Sequence, residues 1–157
     1  MGDRIPSTSA PPFGGATDPG ALERATVEAW VAAYRRAWTS NDPADIGALF
    51  TDDAEYLPTP GSAPWSRRET IVRRWLGRRD EPGTWTFASE VLATEEDLGI
   101  VRGETTYLAT AEEPEARYAN LWLIRLAPDG RARRFEEWWT LRSDVADAGA
   151  SGGEGDR

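Results

Sequence analysis

Trp75-Leu76-Gly77-Arg78-Arg79-Asp80-Glu81-Pro82-Gly83-Thr84-Trp85-Thr86-Phe87-Ala88-Ser89-Glu90-Val91 is the stretch at which this chain changes its hydrophobic period. Upstream, Ile71, Val72, Trp75 and Leu76 recur at helical spacing and stop at Gly77. Downstream, residues 84–94 alternate around Trp85, Phe87, Ser89 and Val91, the spacing of side chains on one face of a strand. Helices before such a break and strands after it describe an α+β domain, with helices covering one face of a sheet.

The segments on either side fill in that outline. Asp18 followed by Pro19 predicts the start of a first helix, on which Val27, Trp30, Val31, Tyr34 and Trp38 share a face. That helix stops near Ser40-Asn41. Asp42 before Pro43 caps a short second helix carrying Ile46, Leu49 and Phe50. Asp52 to Leu57 reads as a turn into a strand, and residues 58–65, with three prolines, as a loop. Ser66 and Glu69 form the pattern of a capping box for the third helix. After Gly83, strands are expected over 84–94, 99–109, 117–127 and 131–142, with Asp129-Gly130 as a hairpin turn. The result is three helices around one strand, then a four-strand antiparallel meander. Residues 1–17 and 143–157 have little to bury and read as disordered tails around a single domain, 18–142.

Composition limits the chemistry. The chain has eight tryptophans, four tyrosines and four phenylalanines in 157 residues, and neither histidine nor cysteine. All 18 basic residues are arginine. A Ser-His-Asp triad, a cysteine nucleophile, a Schiff-base lysine and a Cys/His zinc site each need a residue type that is absent. Carboxylates, arginine, tyrosine and asparagine remain. So much ring surface, spread over every element, points to a cavity with aromatic walls. A net charge of −9 argues against nucleic acid, whose phosphates demand a basic footprint. No apolar run is long enough to span a bilayer, no secretory leader is visible, and a cytoplasmic location is the default.

The last strand carries the sharpest candidate. Phe135, Glu137, Trp139 and Leu141 share one face, which is apolar except for Glu137 and so should point inward. A carboxyl among rings must be paired, hydrogen-bonded or protonated. Either it is catalytic or anchors a ligand, or it forms an internal salt bridge, with Arg102 as the candidate partner. Arg102 and Glu104 share a strand face, and the alternation around them leaves open which face is buried. Asn120 alternates with Tyr118 and Trp122, where an inward amide would orient a ligand or bond a neighbour. Trp138, on the otherwise polar face of the last strand beside Leu121 and Leu123, suggests a dimer patch.

Three stretches resemble one superfamily. They are Trp38-Thr39-Ser40-Asn41-Asp42 through Leu49-Phe50-Thr51-Asp52-Asp53-Ala54-Glu55-Tyr56; Arg68-Glu69-Thr70-Ile71; and Asn120-Leu121-Trp122 through Asp129-Gly130 to Phe135-Glu136-Glu137-Trp138-Trp139. Together they are similar to the nuclear transport factor 2-like superfamily, in its SnoaL-like and ketosteroid-isomerase-like branch. The resemblance spans about residues 21–142. It implies a cone: a curved, mostly antiparallel sheet and three helices enclosing a pocket, in a protein that pairs through the outer face of its sheet. Of the ketosteroid isomerase residues, the tyrosine position falls on Tyr34, the base position on Pro58 and the second aspartate on Trp122, so steroid isomerisation lacks two of its three groups. The limonene epoxide hydrolase pattern implies Glu137, Arg102 and Glu104 as a catalytic set, with Tyr56 beside them and Pro58 where the water-holding asparagine stands.

The expectation is a homodimer that binds a small apolar organic molecule, with Tyr34, Trp38, Tyr56, Tyr118, Asn120, Trp122, Phe135 and Trp139 as the ligand-binding set. No cofactor or metal is implied. Acid–base catalysis of a hydrolase or isomerase type competes with a binding or accessory role without chemistry.

Overall fold

The computed structural model describes residues 22–143. In chain order they form α1 (Arg24–Ser40), α2 (Pro43–Gly47), β1 (Phe50–Leu57), β2 (Trp65–Ser66), α3 (Arg68–Leu76), β3 (Trp85–Glu95), β4 (Leu98–Tyr107), β5 (Ala116–Leu126) and β6 (Ala132–Leu141). One mixed sheet holds all six strands in the order β2-β1-β6-β5-β4-β3. β3 to β6 make the antiparallel meander expected after Gly83, and β1 joins it parallel to β6. The sheet is curved and does not close. Register shifts between Val91 and Ala93 on β3 and between Arg125 and Leu126 on β5 contribute, because a bulged strand bends and twists more strongly.

The helices cover one face. On α1, Val27, Trp30, Val31, Tyr34 and Ala37 are buried, as the periodicity requires. Trp30 meets Phe135 of β6 with ring centroids 5.0 Å apart and Trp122 of β5 at 6.5 Å. Its indole N–H donates to the Leu49 carbonyl at 3.0 Å, so the one polar atom of a buried ring is satisfied. Gly99 lets α1 approach closely: a Cβ there would stand 2.7 Å from a Val27 methyl.

Most of the local signals hold. Asn41 ends α1 in the left-handed region, and its N–H donates to the Ala37 carbonyl. Asp42 accepts from the Ala44 N–H at 2.7 Å, with Pro43 opening α2. Gly130 has φ of 85° in the β5–β6 turn, where its N–H donates to the Ala127 carbonyl.

Two helix starts differ from expectation. The first helix begins at Arg24, capped at Glu23, because the Leu22 N–H is drawn away to the Glu96 carbonyl at the β3–β4 turn. Asp18 and Pro19 lie outside the described residues, as do the expected tails except Ser143. The Ser66–Glu69 capping box does not form. Ser66 is spent in β2, paired with Glu55, and α3 starts after Arg67, which has φ of 78° and no side-chain cap. β2 itself stands where a loop was expected, too short to give a periodic signal.

Candidate functional site

A cavity of about 400 Å³ opens between α1, the segment after α3 and the sheet. That is ample for a small organic molecule, since ligand pockets run from about 300 to 1,000 Å³. Tyr34, Trp38, Tyr56, Trp75, Tyr118, Trp122 and Trp139 give it aromatic walls.

Glu137 is the acid set into them. It lies on β6 opposite Trp122 of β5, next to fully buried Phe135 in the same inward series. Tyr56 of β1 donates its hydroxyl to Glu137 Oε1 at 2.6 Å, and Tyr34 of α1 donates to the same oxygen at 3.0 Å. Oε2 receives no hydrogen bond from any described residue. Burial pushes the Glu137 carboxyl up from 4.5 to about 7, against the two tyrosine hydrogen bonds, which favour the charged form; the charge of Asp80 adds to the rise. Burial, and then the charge of Glu137, also raise both tyrosines well above their ordinary value, so they stay protonated and act as donors.

A second carboxyl group lines the same cavity. Asp80, in the connection between α3 and β3, accepts from the Trp38 indole N–H at 2.9 Å and from the Tyr107 hydroxyl at 3.2 Å, both on Oδ2. The Asn41 side chain donates to the Asp80 carbonyl at 3.0 Å and fixes this stretch against the end of α1. Burial, followed by the charge of Asp80, raises the Tyr107 hydroxyl as well. On the neighbouring wall Thr105 donates its hydroxyl to Asn120 Oδ1 at 2.8 Å.

Of the ligand-binding set expected from sequence, Tyr34, Trp38, Tyr56, Tyr118, Asn120, Trp122 and Trp139 line the cavity. Phe135 does not. It is fully buried behind the wall, in ring contact with Trp30, Tyr34, Tyr56 and Trp122. Trp139 stands at the rim, 43% exposed, with its indole N–H on the Pro58 carbonyl at 3.1 Å.

Arg102 and Glu104 are not brought to Glu137. Val101 and Thr105 of β4 are buried, so the residues alternating with them face the other side of the sheet. There Arg102 pairs with Glu90 and Glu104 with Arg142. The set of Glu137, Arg102 and Glu104 implied by the resemblance is therefore not assembled, and the internal Glu137–Arg102 salt bridge is not formed either. Pro58, on which the resemblance places the base or the water-holding position, lines the cavity.

Sequence reasoning passed over Asp80, Thr105 and Tyr107. The two β4 residues share a strand face with Val101 and Gly103, a series with too little apolar contrast to stand out. Asp80 carried a weak signal: a carboxylate in a short connection between two glycines, where functional side chains concentrate. Among the described residues no helix is long and apolar enough to cross a membrane.

A curved sheet folded over a small aromatic cavity, with helices on its inner face, defines a class of small-pocket α+β proteins. The SnoaL-like domain family model matches residues 31–135, and the chain belongs to that family. Among solved structures, a ketosteroid isomerase-like protein from Erwinia carotovora atroseptica is 25% identical with a TM-score of 0.56, over 73% of this chain and 94% of that one. An NTF2-like protein of unknown function from Cytophaga hutchinsonii is 15% identical with a TM-score of 0.54, over 74% and 98%. The epoxide hydrolase/cyclase-like enzyme SalBIII, of pyran ring formation in the polyether salinomycin, is 16% identical with a TM-score of 0.57, over 72% and 89%. No curated protein matches the chain significantly.

Proposed function

We propose that this chain binds a small apolar organic molecule in the aromatic cavity and transfers a proton to or from it through Glu137, in hydrolase- or isomerase-type chemistry. One observation carries the reading: Glu137 lines the cavity with one oxygen held by Tyr34 and Tyr56 and with no hydrogen bond from a described residue on the other. A neutral carboxyl has one accepting oxygen and one hydroxyl. Two donors on Oε1 make that atom the acceptor and leave the exchangeable proton on Oε2. A carboxyl that titrates at about 7 is matched to proton transfer near neutral pH, because both of its forms are then available.

The test uses the full-length protein with two neutral probes. 1-Methylcyclohexene oxide reports ring opening to a diol, and 3-cyclohexen-1-one reports migration of its double bond. Turnover of one probe is expected in the wild type and should be lost in Glu137→Gln, while binding, read by tryptophan fluorescence, persists. Full activity in Glu137→Gln would overturn the catalytic role. Binding without turnover in the wild type would favour a ligand-binding or accessory protein, the reading supported by the distance of Arg102 and Glu104 from the cavity.

The outer face of the sheet is proposed as a homodimer contact. Trp138 and Leu121 are exposed there, in a shallow groove also lined by Ala88, Ala119 and Thr140. Large rings at the centre of a patch are typical of interfaces.

A further inference from the structure

The charge of this chain is reversed along one stretch. Residues 67–79 hold six arginines and one acid, Glu69, although the whole chain has 27 acids to 18 bases. On the sheet, arginines find acids: Arg102, Arg125, Arg133, Arg134 and Arg142 all sit in ion pairs. In the 67–79 stretch Arg68 pairs with Asp52 at 2.8 Å, and the other five arginines make no ion pair with a described residue. A run of arginines is ordinarily a solvated helix face, but two of these are placed otherwise. Arg78 and Arg79, in the α3–β3 connection, are exposed and also line the aromatic cavity, which puts them at its mouth. The Arg78 guanidinium lies over the Trp65 ring, 5.5 Å from its centroid, and Arg74 lies over the same ring at 5.7 Å. Trp65 is buried and lines the cavity too. The ring holds Arg78 by its face. The donors of a guanidinium lie in its plane, so they stay available at its edges. Two cations over one ring also repel, a cost that an anion beside them removes. Asp80, the next residue, does not neutralise them: its Oδ2 is taken by the Trp38 indole and the Tyr107 hydroxyl.

We propose that Arg78 and Arg79 form an anion subsite at the mouth of the aromatic cavity, and that the ligand is a monocarboxylate, with an apolar ring body among the aromatic walls and its carboxylate on the two guanidinium groups. The inference rests on the proposed function and narrows its ligand class. A guanidinium presents a planar fork of donors that meets a carboxylate through two parallel hydrogen bonds. One negative charge suits the surroundings better than two. Asp80 lines the same cavity, and its charge reaches Glu137 and Tyr107. A dianion such as a phosphate monoester therefore meets more repulsion. The subsite also sets direction. Arg78 and Arg79 come from the α3–β3 connection and Glu137 from β6. A ligand held by its carboxylate at the mouth presents its body to the walls, Glu137 among them. A basic rim on an acidic molecule further concentrates anions at this opening and speeds their entry.

The experiment is titration calorimetry of the full-length protein at pH 7 with three probes that share one ring body: 2-naphthoate, its neutral amide 2-naphthamide, and 2-naphthyl phosphate. 2-Naphthoate should bind about tenfold or more tighter than 2-naphthamide, the worth of a hydrogen bond to a charged group. It should also bind tighter than the phosphate. Its advantage should shrink as salt is raised from about 0.02 M to about 0.5 M, because charges at the mouth are screened. Arg78→Gln and Arg79→Gln should each remove most of that advantage and leave the affinity for 2-naphthamide nearly unchanged. Arg73→Gln takes the same charge from the same stretch without touching the cavity lining, and should cost 2-naphthoate far less. Equal affinities for acid and amide, or equal losses from Arg73→Gln and Arg79→Gln, would overturn the subsite and leave the apolar cavity standing. Tighter binding of 2-naphthyl phosphate would overturn the monocarboxylate. Failure of all three probes to bind would sink the proposed cavity function, and the subsite with it.

Discussion

Glu137→Gln should make the protein more stable, and increasingly so as pH rises. In the folded chain this carboxyl titrates at about 7 rather than 4.5, chiefly because of burial. A raised carboxylate pKa means that the folded state holds its proton over a range in which the unfolded state has released it. Stability therefore falls as pH climbs from about 4.5 to about 7 and is fully reduced above that, the reverse of a salt-bridged acid. A shift of this size, at 1.36 kcal/mol per pH unit, corresponds to about 3 kcal/mol. Gln is nearly isosteric with the neutral acid, and its side-chain oxygen accepts from Tyr34 and Tyr56 as Oε1 does. It keeps the contacts and removes the titration. Near pH 4 the variant and the wild type should have similar stability. At pH 8 the variant should be more stable by about 3 kcal/mol, or roughly 10 °C in Tm for a domain of this size. Urea unfolding followed by tryptophan fluorescence at five pH values measures the difference directly, and the titrating groups remote from Glu137 cancel between the two proteins. A stability difference independent of pH, or one favouring the wild type at pH 8, would refute the account of a carboxyl held against its charge. The same cost fits a functional acid, since active sites are commonly kept at the expense of stability.

Gly103→Ala should lower stability by about 1–3 kcal/mol, because a Cβ there would stand 2.6 Å from the Phe87 ring, which is stacked on Trp122 of the cavity wall; unaltered urea unfolding would show that the wall gives way freely. Trp138→Glu should convert a dimer into a monomer in analytical ultracentrifugation, and a wild type that is monomeric at high concentration would refute the proposed contact.

The sequence by itself determined the antiparallel meander of the sheet. Alternation after Gly83 placed all four strands of the meander within a residue or two, because each strand is half-buried and a one-residue slip would turn every core side chain to water. It also determined the inward direction of Glu137, since Phe135 on the same face leaves a carboxyl no other side to take. Asp42 and Asn41 could be read as caps because capping depends on neighbours two to four residues away. The start of α1 could not, because Leu22 answers to Glu96, more than seventy residues downstream. The faces of Arg102 and Glu104 were equally hidden. Around them Val101, Gly103 and Thr105 offer too little apolar contrast for a period of two to show which side is wet. Tertiary structure alone decided that those charges pair outside with Glu90 and Arg142, and that Phe135 packs behind the wall. It alone brought Asp80 to the cavity, where Trp38 and Tyr107 lie 42 and 27 residues away along the chain and only the closing of the sheet against α1 puts all three in contact.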